Sequence, residues 1–273
     1  MLTAARSFQQ NARSAPPLPL VPELQPLYDW GCTPRRGQVI MVAGRSGSQK
    51  SGFVLFWVRQ MNAPTLYMSG DMTAFEASSR LVGMETRETL ATIEEGMEGM
   101  DAGRYVKALE GIPITFSFGS PITFPSLEAE LEAQMELRNR YPEVVVIDNL
   151  MDLDGCENSY EAQMEAMQLL TSFSRETGST FIILHHATDK DPTATSTPGH
   201  PPSREKIKNG LSEKPQLTLS VALESECNDS ELRIAVVKQR NGRSDPGASD
   251  YIRLRAYPEI TRFAPMPRIV PKF

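Results

Sequence analysis

The stretch Gly44-Arg45-Ser46-Gly47-Ser48-Gln49-Lys50-Ser51 constrains this chain more than any other, entered from the apolar run Val39–Ala43 and left through Gly52–Val58. Strand, glycine-bearing turn, Lys-Ser and an amphipathic run, in that order, are the layout of a nucleotide phosphate loop. Backbone N–H groups of such a loop converge on phosphate oxygens at a helix N-terminus. Gly44, Gly47, Ser48 and Gln49 would form the cradle, Lys50 would reach the β- and γ-phosphates, and Ser51 would offer magnesium its hydroxyl. Gln49 departs from the pattern, which has glycine directly before the lysine. A Cβ there crowds the phosphate or resists the required backbone angles. Taken alone, the octet can also be read as a glycine-and-serine turn between strand and helix.

The rest of the chain reads as alternating strands and helices. Apolar runs at 38–43, 65–70, 112–116, 144–147 and 180–184 predict strands. Helices are expected at 50–61, 74–83 and 127–140 (capped by Ser126) and at 159–177, with a polar helical stretch over 85–110 broken at Gly96, Gly99 and Gly103. Val144–Ile147 is apolar throughout, as a parallel strand covered on both faces should be. Strands at 217–223, 232–238 and 250–255 follow one another with little helix between them, which predicts an antiparallel extension. The fold class is therefore α/β, with a mainly parallel sheet binding its ligand at the carboxyl edge. Residues 1–26, polar and then proline-rich, are expected to form an arm or linker ahead of a single domain over 27–273.

Composition narrows the function classes. With 40% hydrophobic and 23% charged residues, and no apolar run of membrane-spanning length, no membrane partner is expected. The start of the chain lacks a basic-then-apolar signal pattern, and Cys32, Cys156 and Cys227 are too scattered for a disulfide framework, so a cytoplasmic location is the expectation. The net charge of -6 rules out DNA binding by whole-molecule attraction and leaves only a local basic stripe. Such a stripe exists: from Arg233 to Lys272 nine Lys or Arg face three acidic residues, although a solvated face accounts for it equally well.

Polar residues recur at the carboxyl ends of apolar strands. Asp148 follows Val144–Ile147, where an acid supporting magnesium belongs. Asp71 closes the 65–70 strand, from which a carboxylate could orient a water; a simple turn residue is the alternative. His185-His186 ends another strand, as phosphate sensor or metal ligand. The acids Asp152, Asp154, Glu157, Asp189 and Asp191 could add a second metal cluster or be merely solvated. Lys238 and Arg240 alternate on one strand end, hence on one side, where arginine suits planar contact with a phosphoryl group; a basic hairpin turn at Asn241-Gly242 is the other reading.

Together these segments resemble the DnaB-type replicative helicases. Lys238-Gln239-Arg240-Asn241-Gly242 is similar to their Lys-x-Arg-x-Gly segment, and Leu27-Tyr28-Asp29 through Arg36–Ala43 to the approach to their phosphate loop. Ser69-Gly70-Asp71-Met72 resembles their Ser-Leu-Glu-Met segment, with aspartate for the catalytic glutamate. Val146-Ile147-Asp148-Asn149-Leu150 matches their Walker B strand, while Leu184-His185-His186 looks like the related phage and plasmid RepA-type ATPases. The resemblance implies a RecA-like P-loop NTPase core, ATP and Mg2+ as cofactors, a homo-oligomeric ring, expected to be hexameric, and single-stranded or forked DNA as partner. By the same likeness Lys50 and Ser51 bind phosphate and magnesium, Asp148 is the Walker B acid and Asp71 the base. His186 would be the sensor, Lys238 and Arg240 would reach a neighbour's nucleotide, and Arg204, Lys206 and Lys208 would fall in the DNA-contacting loop 187–215. The family's N-terminal primase-interacting domain has no counterpart in residues 1–26. Two further readings stay open: a divalent-metal-dependent nuclease for branched DNA on this fold, and a hydrolysis-deficient DNA-binding or loader protein.

Overall fold

The computed structural model describes residues 3–6, 15–99, 102–188, 199–226 and 229–266. Among the described residues nine strands form one sheet in the order β3-β2-β4-β5-β1-β6-β7-β8-β9. Strands β1 (Val39–Gly44), β2 (Thr65–Ser69), β3 (Ile114–Ser117), β4 (Val144–Asp148), β5 (Thr180–His186) and β6 (Leu217–Glu226) run parallel. Strands β7 (Asp229–Gln239), β8 (Tyr251–Tyr257) and β9 (Arg262–Pro265) extend the sheet antiparallel. This is the mixed α/β architecture that the strand–helix alternation predicts.

The four inner strands are apolar almost throughout because both faces are covered. One face presents Ile40, Val42, Tyr67, Val144, Val146, Ile182 and Leu184 to α2 (Lys50–Met61). The other presents Met41, Leu66, Met68, Val145, Ile147 and Ile183 to α6 (Phe124–Arg138) and α7 (Tyr160–Thr177). Period-two alternation thus sorts consecutive residues into two cores. Between β2 and β3 lie α3 (Ala74–Thr86), α4 (Leu90–Glu98) and α5 (Ala102–Leu109); the short α1 (Gln25–Asp29) precedes β1.

Several sequence expectations shift. Helix α6 starts at Phe124 and is capped by Thr123, whose hydroxyl accepts the Ser126 N–H at 3.1 Å while Ser126 Oγ accepts the Thr123 N–H at 3.1 Å; Ser126 is the reciprocal partner, not the cap. Strand β3 begins at Ile114 rather than 112. Strand β9 escapes a propensity reading because it is short and ends at Pro265. The turn at Asn241-Gly242 is part of a longer 240–250 connection, organised where Asp245 accepts the N–H groups of Gly247, Ser249 and Asp250.

Helix α2 is not amphipathic in place. Gly52–Val58 are all buried, since β9 and the segment around Leu18, Val21 and Leu24 cover its outer face. The part of the expected arm from Ala15 onward therefore packs on the body, held by the Leu18 N–H to the Pro34 carbonyl and the Arg36 N–H to the Pro16 carbonyl. Phe263 of β9 packs edge-on against Phe53 and Phe56 of α2, with ring centroids 6.1 and 5.4 Å apart. Phe263→Ala should cost about 3–5 kcal/mol of unfolding free energy, read by urea denaturation. A loss under about 1 kcal/mol would show that β9 is not part of the cooperative unit.

Candidate nucleotide site at the carboxyl edge

The strand order builds this site. Strand β5 lies between β4 and β1, and β2 flanks β4. Register sets Gly44 opposite His186 and Ser69 opposite Asp148. The carboxyl edge therefore aligns, in sequence across the sheet, the turn carrying Asp71, then Asp148, the His185-His186 pair, and the 44–51 loop.

Helix α2 begins within the loop and places Lys50 and Ser51 in its first turn. Lys50 is only 8% exposed, and its Nζ lies 3.5 Å from His186 Nδ1. Ser51 donates its hydroxyl to Asp148 Oδ1 at 3.1 Å. The other Asp148 oxygen accepts the Tyr67 hydroxyl at 2.7 Å. Burial pushes the Asp148 carboxyl up from its ordinary value, while Tyr67, Ser51 and the Lys50 charge pull it down. Tyr67, wholly buried beside that carboxylate, is raised well above the ordinary phenol range, so it stays a donor.

Gln49 sits at the helix N-cap with φ 60° and ψ 24°, the left-handed conformation in which glycine is free of the Cβ penalty. This is the physical content of the pattern's glycine. Gln49 meets the backbone requirement, and its side chain folds over Gly52, where a Cβ would lie 2.8 Å from Gln49 Oε1. Gly47 takes φ 74° in open space; Gly44 is needed for a different reason, since its Cβ would lie 2.3 Å from Ser48 Oγ. Ser48 Oγ is buried and, among the described residues, has no hydrogen-bond partner. The second loop residue, Arg45, donates to the His200 carbonyl at 3.2 Å.

A nucleotide with magnesium fits this set of donors. The Ser51 hydroxyl and the Asp148 carboxylate are hard oxygen ligands set close together, the buried Lys50 ammonium adjoins them, and the unpartnered Ser48 hydroxyl faces the same loop. Asp71 is exposed at the rim and accepts from Asn149 Nδ2 at 3.3 Å. Among the described residues no group of three or more His, Cys, Asp or Glu is arranged to hold a metal, so Asp152, Asp154 and Glu157 do not form the second cluster; Asp189 and Asp191 lie outside the described residues.

His185 points away from the loop. Its Nε2 contacts the Lys208 carbonyl at 3.2 Å, and burial lowers its pKa to about 4. Of the expected 187–215 loop, the described portion is not free: two 3₁₀ turns, Arg204–Lys206 and Lys208–Glu213, bury Ile207 and Leu211. Arg204 pairs with Glu213 at 3.4 Å, and Arg204, Lys206 and Lys208 are half-buried.

Lys238 and Arg240 do not join the cluster. Antiparallel β7 ends beside the start of β6, with Lys238 opposite Thr218 and Gln239 opposite Leu217, at the amino edge of the parallel strands. Lys238 Nζ donates to the carbonyls of Glu213, at 2.6 Å, and Pro215. Burial, then the Arg240 charge, lowers its pKa to about 8. Arg240 is exposed. That edge lies opposite the one that carries the 44–51 loop.

Tyr67 and Asn149 are the contacts that motif reading missed. Tyr67 did leave a signal, a phenol in the middle of the apolar strand Thr65–Ser69, because a buried phenol needs a partner.

The fold is the RecA-like one seen in the ATPase domains of DnaB-like replicative helicases. The chain superposes on one solved ATPase domain with a TM-score of 0.75 at 16% identity, covering 96% of each chain. It superposes on a DnaB-like replicative helicase, solved with attention to its interactions with primase, with a TM-score of 0.78 at 16% identity, covering 97% of this chain and 68% of that one. The chain belongs to the AAA domain family, which it matches over residues 19–191. It is 30% identical over 264 residues to the Gene 65 protein of Mycobacterium phage L5, spanning 93% of this chain and 95% of the relative. The Gene 65 protein of Mycobacterium phage D29 is 31% identical over 227 residues, spanning 79% and 94%. No helix among the described residues is long and apolar enough to cross a membrane.

The buried His185 gives a pH signature. Its folded pKa lies below the ordinary 6.5, so the unfolded chain binds the proton more readily. That contribution is complete above about pH 6.5 and is lost as pH falls toward 4, at up to about 1.4 kcal/mol per pH unit. The unfolding free energies of the parent and His185→Gln should therefore converge between pH 7 and 4. Parallel curves would refute the assignment.

Proposed function

We propose that this chain is an ATP-driven, DnaB-like motor acting on single-stranded or forked DNA in replication or recombination, in the cytoplasm of a phage-infected host. The observation that carries the reading is the division of the residues between two edges. Lys50, Ser51, Asp148, His186 and Asp71 gather at the carboxyl edge, while Lys238 and Arg240 occupy the amino edge. A complete phosphoryl-transfer site then needs two subunits, as in a closed, six-membered ring with heterologous contacts.

In this reading Lys50 holds the β- and γ-phosphates, and Ser51 and Asp148 hold magnesium, the latter through water. Bound magnesium would supply charge neutralisation at the phosphoryl oxygens. Asp71 orients the attacking water and accepts its proton. His186, beside Lys50, senses the occupancy of the γ-phosphate position. Arg240 of a neighbour meets the developing charge, with Lys238 released from its carbonyl partners to assist. Arg204, Lys206 and Lys208 face the DNA and contribute salt-dependent phosphate contacts.

Purified protein should hydrolyse ATP faster with single-stranded or forked DNA, and Lys50→Ala and Asp148→Ala should abolish that turnover. No DNA-dependent turnover above these variants would overturn the motor. Gln49 supports a second reading, a hydrolysis-deficient DNA-binding or loader protein, because its left-handed backbone is strained for a residue with a Cβ. ATP binding and salt-sensitive DNA binding without turnover would select it.

The shared site has its own test. Mixing Lys50→Ala with Arg240→Ala should restore part of the activity that each lacks alone, because some boundaries then pair an intact loop with an intact arginine. Strict additivity of the two inactive preparations would place Arg240 outside the site.

A further inference from the structure

The acid at the end of β2 is an aspartate, one methylene shorter than the glutamate of the DnaB-type segment it resembles, and a water-orienting group is sensitive to displacement of an ångström. The turn around it supplies what the side chain lacks. Gly70 donates its N–H to the Asp148 carbonyl at 3.1 Å, and a Cβ on Gly70 would lie 2.7 Å from Asp152 Cβ. Any other residue at position 70 would force the end of β2 and the Leu150–Asp152 turn apart, or one of them to shift. Asn149 occupies the resulting junction with each of its amide groups engaged. Its backbone N–H donates to Asp152 Oδ2 at 2.9 Å, its Oδ1 accepts the Met151 N–H at 2.8 Å, and its Nδ2 donates to Asp71 Oδ2 at 3.3 Å. Because Oδ1 is fixed by a backbone donor, the carboxamide has one orientation, and that orientation turns its donor side to Asp71.

We propose that Asn149 is a positioning residue for Asp71: its locked carboxamide, seated by the close approach at Gly70, holds the short acid where it can orient the attacking water. This rests on the reading of Asp71 as the base. A structural role for Asn149 is also plain, since its Oδ1 caps the Leu150–Asp152 turn. Asn149→Asp separates the two. Aspartate keeps the capping oxygen and the shape of the side chain, but it replaces the donor facing Asp71 with an acceptor of like charge.

The experiment measures ATP turnover, binding of a non-hydrolysable ATP analogue with Mg2+, and the thermal midpoint for full-length parent, Asn149→Asp, Asn149→Ser and Asp71→Asn. The expected result is a fall in kcat of about 10- to 100-fold for both Asn149 variants, with analogue affinity and midpoint retained in Asn149→Ser, which keeps a capping oxygen and adds no buried charge. Full turnover in Asn149→Asp with an inactive Asp71→Asn would overturn the positioning role and leave Asp71 as the base. Full turnover in Asp71→Asn, or a parent without turnover, would remove the reading beneath it and the proposal with it. A fall in both turnover and midpoint for Asn149→Ser would assign Asn149 to the turn alone and also overturn the proposal.

Discussion

The Asp148 carboxylate is the point on which the site depends. At 3% exposure it is too buried to remain charged without partners, and it has one donor on each oxygen. Those donors come from different places: Ser51 from the helix leaving the phosphate loop and Tyr67 from the neighbouring strand. A buried carboxylate stripped of a partner is costly, so satisfying this one fixes how α2 sits on β2 and β4. Loop, helix and two strand ends are thereby locked together.

Much of this was legible in the sequence, for identifiable reasons. Parallel strands buried on both faces must be apolar throughout, so Val39–Ala43 and Val144–Ile147 announced themselves. Their carboxyl ends must then carry the polar residues, which marked Asp71, Asp148 and His186. The left-handed angle at Gln49 was also foreseeable, since it is the reason that the pattern has glycine there. What could not be read was anything set by strand order. That β5 lies between β4 and β1 follows from the crossovers, and Tyr67 reaches Asp148 because β2 borders β4. The burial of α2 on its outer side was equally hidden, because the covering segments lie near 20 and 263, far away in the chain. Likewise Ile207 and Leu211 pin a stretch whose Pro, Ser, Thr and Lys content reads as loop.

The antiparallel extension has a geometric effect. Because β7 reverses direction, the residues at its end return to the amino edge, leaving Arg240 at the opposite edge of the sheet from the 44–51 loop. The same reversal brings Lys238 against the carbonyls that close the 208–215 segment. Lys238 and Arg240 at one edge and the 44–51 loop at the other give the chain two unlike ends.

The clamping of α2 between the 18–24 segment and β9 also bears on how the chain is made. The helix that opens with Lys50 and Ser51 completes its packing only when Phe263 arrives, more than two hundred residues later. During synthesis the 44–51 segment emerges well before β9, and its helix stays half-covered until then. Contacts so distant in sequence fold slowly. A fragment lacking β9 would therefore leave the outer face of the helix that opens with Lys50 and Ser51 partly uncovered, so the order around the 44–51 segment depends on a contact made far away in the chain.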